Sequence, residues 1–196
     1  MANAIQLAIS ADLLIKFWAA KLVDSNNRGA VSDVIAAVSD VIALKKNGSK
    51  NFVVINRSLG FSGQSLVVLR DLLADAGAAG ITAVIAAGNT TLTSGPIGLD
   101  AHPLNPFASQ LSLACKGLFN GIAVGATWGT IQVADFSATG KITVEQSARG
   151  SGVLALGIYP NLTFAGGTSF SAPLVAGAAA ELALGRGLDP STSEDT

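Results

Sequence analysis

An α/β domain built on a mostly parallel sheet flanked by helices is the fold class this sequence predicts, and three observations predict it. Strand-like apolar runs alternate with helix-like ones. The apolar runs are short and broken by Gly, Ser, Asn and Asp, which suits strands buried on both faces. The chain is 196 residues long and 49% hydrophobic, enough for one domain with a sizeable core.

The strand candidates are Asp12 to Ala19, Phe52 to Asn56, Ile81 to Ala86, Gly121 to Ala126 and Gly152 to Leu156. Between the first two, Val31, Val34, Ile35, Val38, Val41 and Ile42 recur at helical spacing and form one apolar stripe. Lys45, Lys46, Asn47 and Gly48 then place cations and a stop at its C-terminus. The repeat of VSDVIA at Val31 and Val38 covers only two heptads, so it marks a core-facing helix rather than a coiled coil. A second helix is predicted from about Gln64 to Ala76, with Leu66, Leu69, Leu72 and Leu73 inward and Gly77 or Gly80 ending it. A third begins near Ser169, where Pro173 fits an early turn, and ends near Gly185; its small residues allow close packing. Residues 1–185 thus read as a single domain and 186–196 as a loose polar tail. Asn89 to Lys116 carries Gly, Pro and no sustained periodicity, the signature of a long binding loop.

Composition narrows the function. Only 13% of residues are charged and the formal net charge is −1, so there is no basic face for a nucleic acid. No apolar run approaches the roughly 20 residues of a membrane span, and the N-terminus lacks the basic leader of a secretory signal. Cys115 is the only cysteine, which excludes an internal disulfide and a thiolate cluster. No HExxH, Asp-rich loop or His cluster points to a metal, and no cofactor is expected.

A parallel sheet carries its sites at the C-terminal ends of its strands. Here those positions hold Ser58-Leu59-Gly60, Gly88-Asn89-Thr90 and the turn GGTSFSAP. Ser169, opening a helix, sits where unpaired N–H groups and the helix dipole stabilise negative charge on an attacked oxygen. By itself GTS equally describes a serine N-cap, and Asn89 equally a turn residue after a strand.

The longer pattern separates these readings. GTSFSAPLVAG resembles, at every defined position, the nucleophile motif of the subtilisin-like serine proteases, G-T-S-x-S/A-x-P-x-x-A-G. INRSLG (Ile55 to Gly60) resembles that family's substrate-binding strand, VIAAGNT (Val84 to Thr90) its A-A-G-N segment, and FNGIAVGAT with DFSATG a further pair. Four motifs in the family's order, spanning about residues 8 to 185, identify the chain as a member. The resemblance implies a three-layer subtilisin-like fold, Ser169 as nucleophile and Asn89 as side-chain donor of the oxyanion hole. It further implies that Ser58, Leu59 and Gly60 pair with an extended substrate, and that Ala86, Ala87 and Gly88, with Thr168 nearby, bind the residue before the scissile bond.

The family's catalytic Asp and His, in D-T/S-G and H-G-T-H contexts, have no counterpart in these residues. Because AISADLLIKF resembles the segment following that histidine, the resemblance places both before residue 1 and implies a missing or rearranged N-terminal part of the fold. A central strand would go with it, so a homo-oligomer or a rearranged N-terminal region is expected. The single histidine, His102, has Asp100 two residues earlier; it is read either as a substitute base or as a solvated loop residue. Three functions follow: a serine hydrolase favouring esters over peptides, a non-catalytic peptide-binding domain, or a fragment completed by another chain. The family is often secreted, while the residues themselves assign no compartment.

Overall fold

The computed structural model describes residues 15–26, 28–59, 66–89, 118–129, 131–156 and 161–185. In chain order the elements are α1 (Val31–Lys46), β1 (Val54–Arg57), α2 (Leu66–Ala78), β2 (Thr82–Ala86), β3 (Gly121–Trp128), β4 (Gln132–Val133), β5 (Gln146–Arg149), β6 (Val153–Leu156), β7 (Leu162–Ala165) and α3 (Thr168–Gly185). Strands β1, β2, β3 and β5 run parallel in that spatial order, and β4 pairs antiparallel with the end of β3.

Period-2 alternation divides the core between the two faces of this sheet. Ala83 and Ile85 of β2 join Val34, Val38, Val41 and Ile42 of α1 and Leu69 and Leu73 of α2 in one cluster. Val84 and Ala86 turn the other way and join Val124, Ala172 and Ala176 beneath α3. The result is the predicted three-layer arrangement, with α1 and α2 on one face and α3 lying across β1, β2, β3 and β5 on the other.

The helices end for identifiable reasons. Asp33 in the first turn of α1 accepts the Ala30 N–H at 3.4 Å, and Lys45 and Lys46 occupy the last turn. At the end of α2 the Gly80 N–H reaches the Gly77 carbonyl (2.9 Å) and the Ile81 N–H the Ala76 carbonyl (3.0 Å). That pair of bonds requires a left-handed residue, and Gly80 supplies it at φ +74°. Gly77 therefore lies inside the helix; its missing side chain makes room for Asn120, whose Nδ2 donates to the carbonyls of Leu73 and Ile81 at 2.9 Å each.

Two strand expectations need correction. The described part of Asp12–Ala19, residues 15–19, is not a strand; Phe17 and Trp18 are exposed, with Trp18 edge-on to Phe52 at 5.8 Å. The run beginning at Gly152 is a strand from Val153 but stands outside the parallel sheet, paired antiparallel with β7. Its expected place is taken by β5, whose sequence Gln-Ser-Ala-Arg carries no hydrophobic signal because Gln146, Ser147 and Arg149 are exposed and only Ala148 packs against the cluster beneath α3. Leu154 with Phe164 and Leu156 with Leu162 form cross-strand pairs on the exposed face of the β6–β7 hairpin. No described helix is long and apolar enough to cross a membrane.

Candidate active site

The C-terminal ends of β1, β2 and β5 and the N-terminus of α3 meet at one edge of the sheet. After β7 the chain turns through Gly166 and Gly167 into Thr168, the first residue of α3. The Gly167 N–H donates to the Gly150 carbonyl at 2.7 Å, which docks the turn onto the end of β5. Gly167 adopts φ +144°, and a side chain there would stand only 3.3 Å from Asn89 Nδ2. Glycine is thus needed both for the turn and for the approach of Asn89.

Asn89 and Thr168, 79 residues apart, form the centre of the site. The Asn89 carboxamide oxygen accepts the Thr168 N–H at 2.8 Å and the Thr168 hydroxyl at 3.0 Å. The fully buried Thr168 hydroxyl in turn accepts the Gly88 N–H at 3.2 Å. Two donors on one carboxamide oxygen assign the amide's orientation and turn its NH₂ away from Thr168. The first N–H groups of a helix have no acceptor within it. Of these, Thr168 N–H goes to Asn89 and Phe170 N–H to the Gly167 carbonyl (2.9 Å), with the half-buried Ser169 between them.

The segment carrying Asn89 is held on the side facing β3 as well. Ala87 N–H donates to the Val124 carbonyl, Ala138 N–H to the Gly88 carbonyl, and Asn89 bridges Ser137. Ser137 is buried, accepts the Ala126 N–H through its hydroxyl at 2.8 Å and donates to the Ala138 carbonyl at 2.9 Å. The DFSATG loop is therefore the buttress behind Asn89, a role that its sequence does not announce.

On the β1 side, the Ser58 hydroxyl donates to the Ser169 carbonyl at 3.2 Å. Leu59 is half-buried beside it. Ala86 packs under α3, Ala87 against Ala138 and Val144, and Gly88 is half-buried. The structure thus gathers Ser58, Ala86, Ala87, Gly88, Asn89, Thr168 and Ser169 at one edge. Gly60 and His102, together with Asp100 and most of the loop from Asn89 to Lys116, lie outside the described residues.

Comparison with known proteins gives the family. The family model described as Subtilase family matches residues 6–188. The chain belongs to the subtilase family. Among curated subtilases it is 34% identical over 169 residues to subtilisin DY of Bacillus licheniformis, covering 85% of this chain and 53% of that protein. To a subtilisin of Bacillus sp. strain TA39 it is 29% identical over 187 residues, covering 90% of this chain and 41% of the relative. The solved S41 psychrophilic protease superposes with a TM-score of 0.66 at 29% identity, covering 84% of this chain and 53% of that one. This subtilase sequence spans about half the length of the relatives it matches.

Proposed function

We propose that this subtilase domain is a serine hydrolase forming an acyl-enzyme at Ser169, with Asn89 Nδ2 and the Ser169 backbone N–H as oxyanion donors. The observation that supports the reading is the doubly accepting Asn89 oxygen, which leaves the amide's NH₂ as the donor end of that side chain, next to the first turn of α3. In the acylation step the Ser169 oxygen bonds to the acyl carbon, the bond to the alcohol breaks, and the serine proton ends on the departing alkoxide. Water then releases the acid and restores the serine.

The reading favours esters over amides because an amine leaving group needs a general acid, the role that falls to the family's Asp–His pair, whose motifs do not occur in these 196 residues. Esters of good leaving groups do not share that need. An oxyanion hole with substrate binding still supplies about 10³ to 10⁴-fold over water. The two readings of His102, a solvated loop residue or a substitute base, are separated by His102→Ala: full ester turnover in the variant rejects the base, and lowered turnover supports it.

The deciding experiment is fluorophosphonate labelling read by intact mass, beside hydrolysis of a short p-nitrophenyl ester. One label per chain, abolished by Ser169→Ala, supports the hydrolase; turnover should also fall about 10² to 10³-fold in Asn89→Ala. No label on the unaltered chain would overturn it.

A second reading, a peptide-binding domain, is favoured by β1, which runs directly into Ser58 and Leu59 at the edge of the site. An extended peptide would add to that edge as a strand. The same edge is where a second copy would pair in the expected homo-oligomer, which light scattering after size exclusion tests directly.

A further inference from the structure

We propose that Ser58 is a positioning residue for Ser169, acting through the backbone carbonyl that Pro173 leaves without a helical partner. In an α-helix the carbonyl of residue i accepts the N–H of residue i+4. For Ser169 that residue is Pro173, which lies inside α3 and has no N–H to give. A carbonyl deprived of its partner in a partly buried place is costly unless another donor replaces the bond. The Ser58 hydroxyl is that donor, at 3.2 Å across 111 residues of chain.

The alternation along β1 explains why Ser58 is available. Val54 packs into the cluster beneath α3, and Ile55 into the cluster on the opposite face. Continuing with period 2 past Arg57 returns residue 58 to the α3 face. A hydroxyl is the smallest group able to reach the helix from there and donate.

Ser169 is consequently bracketed by two strands. Asn89, following β2, holds the N–H of the residue before it, and Ser58, following β1, holds its own carbonyl. With the Gly167–Thr168 peptide and the Ser169–Phe170 peptide each tied to a residue that follows a strand, the Cα–Cβ direction of Ser169 is constrained by the sheet as well as by the helix. Neither bond uses the backbone of Ser58, so strand pairing with a substrate there is unaffected. The inference rests on the reading of Ser169 as nucleophile, and its test keeps the two apart.

The test is a double-mutant cycle on the full 196-residue chain: Ser58→Ala, Pro173→Ala and both together, with Ser58→Thr as the conservative variant. Replacing Pro173 restores an N–H that can close the helical bond to the Ser169 carbonyl, which makes the Ser58 hydroxyl redundant. Ser58→Ala should slow fluorophosphonate labelling about tenfold and lower ester kcat with little change in KM, as expected for a displaced nucleophile. Ser58→Thr should regain most of that rate, and in the Pro173→Ala background the loss should shrink to less than about twofold. Equal losses in both backgrounds, or no loss from Ser58→Ala, would overturn the proposal. Should the unaltered chain not label at all, the hydrolase reading fails, and the cycle is read instead from amide hydrogen exchange in the first turn of α3. Faster exchange in Ser58→Ala that Pro173→Ala suppresses then sustains the anchor; additive effects overturn it.

Discussion

The two faces of the sheet are packed in different ways. Beneath α1 and α2 the core is mostly Val, Leu and Ile side chains, with Ala76 and Ala83 among them. Beneath α3 the helix contributes Ala172 and Ala176, and Ala86 and Val84 face them. Small side chains let α3 approach the strands closely, and every bond that ties Ser169 to the sheet depends on that approach. The difference teaches that one face is built chiefly for burial and the other for placing backbone and polar atoms.

Truncating the large-residue face should have the greatest effect on stability and the least on chemistry. Leu73→Ala is expected to cost about 2–5 kcal/mol in urea unfolding, because Leu73 is buried in the cluster on the sheet face opposite α3. The labelling rate of the folded fraction should not change; a matching fall in rate would break the contrast between the faces.

Gly150→Ala probes the opposite face. A side chain there would collide with the Ser171 hydroxyl and stand 2.5 Å from Ala126 Cβ and 3.0 Å from the Gly167 carbonyl oxygen. We expect a loss of about 1–3 kcal/mol from overpacking, together with slower labelling because Gly150 also accepts the Gly167 N–H. Unchanged labelling despite lost stability would show that the turn does not depend on close packing.

The smallest effect is expected at Ser171, whose hydroxyl is buried without a hydrogen-bond partner among the described residues. Ser171→Ala should raise stability by about 1 kcal/mol or leave it unchanged, since a buried unsatisfied group carries its desolvation penalty. It should also soften Gly150→Ala when the two are combined, the sign of a shared contact. A loss above about 1 kcal/mol, measured by urea unfolding, would reveal a partner for that hydroxyl.

How much of this was legible in the sequence varies by element. The stripe from Val31 to Ile42 and Leu69, Leu72 and Leu73 of α2 state their helices and inward faces openly, because burial on one side imposes a period. The runs that became β1, β2 and β3 were visible as short apolar segments for the same reason. Strand β5 was not, since Gln-Ser-Ala-Arg is held by backbone pairing with β3 and contributes only Ala148 to the packing beneath α3. The misplacement of Val153–Leu156 has the converse cause: its leucines look like core residues but stand exposed on a hairpin. At the site, GTSFSAPLVAG and AAGN named Ser169 and Asn89 as candidates, while the support from Ser137 and Ala138 had no local signal.

The sequence by itself determined the α/β class, the subtilase family and which end of the sheet would carry the candidate residues, because periodicity and motif are local properties of the chain. Only the tertiary structure decided that Thr168 binds Asn89 from 79 residues away and that Ser58 donates across 111 residues to the carbonyl Pro173 leaves unpaired. Such bonds depend on strand register and on the closeness of α3 to the sheet, and both are set only when the two faces pack together.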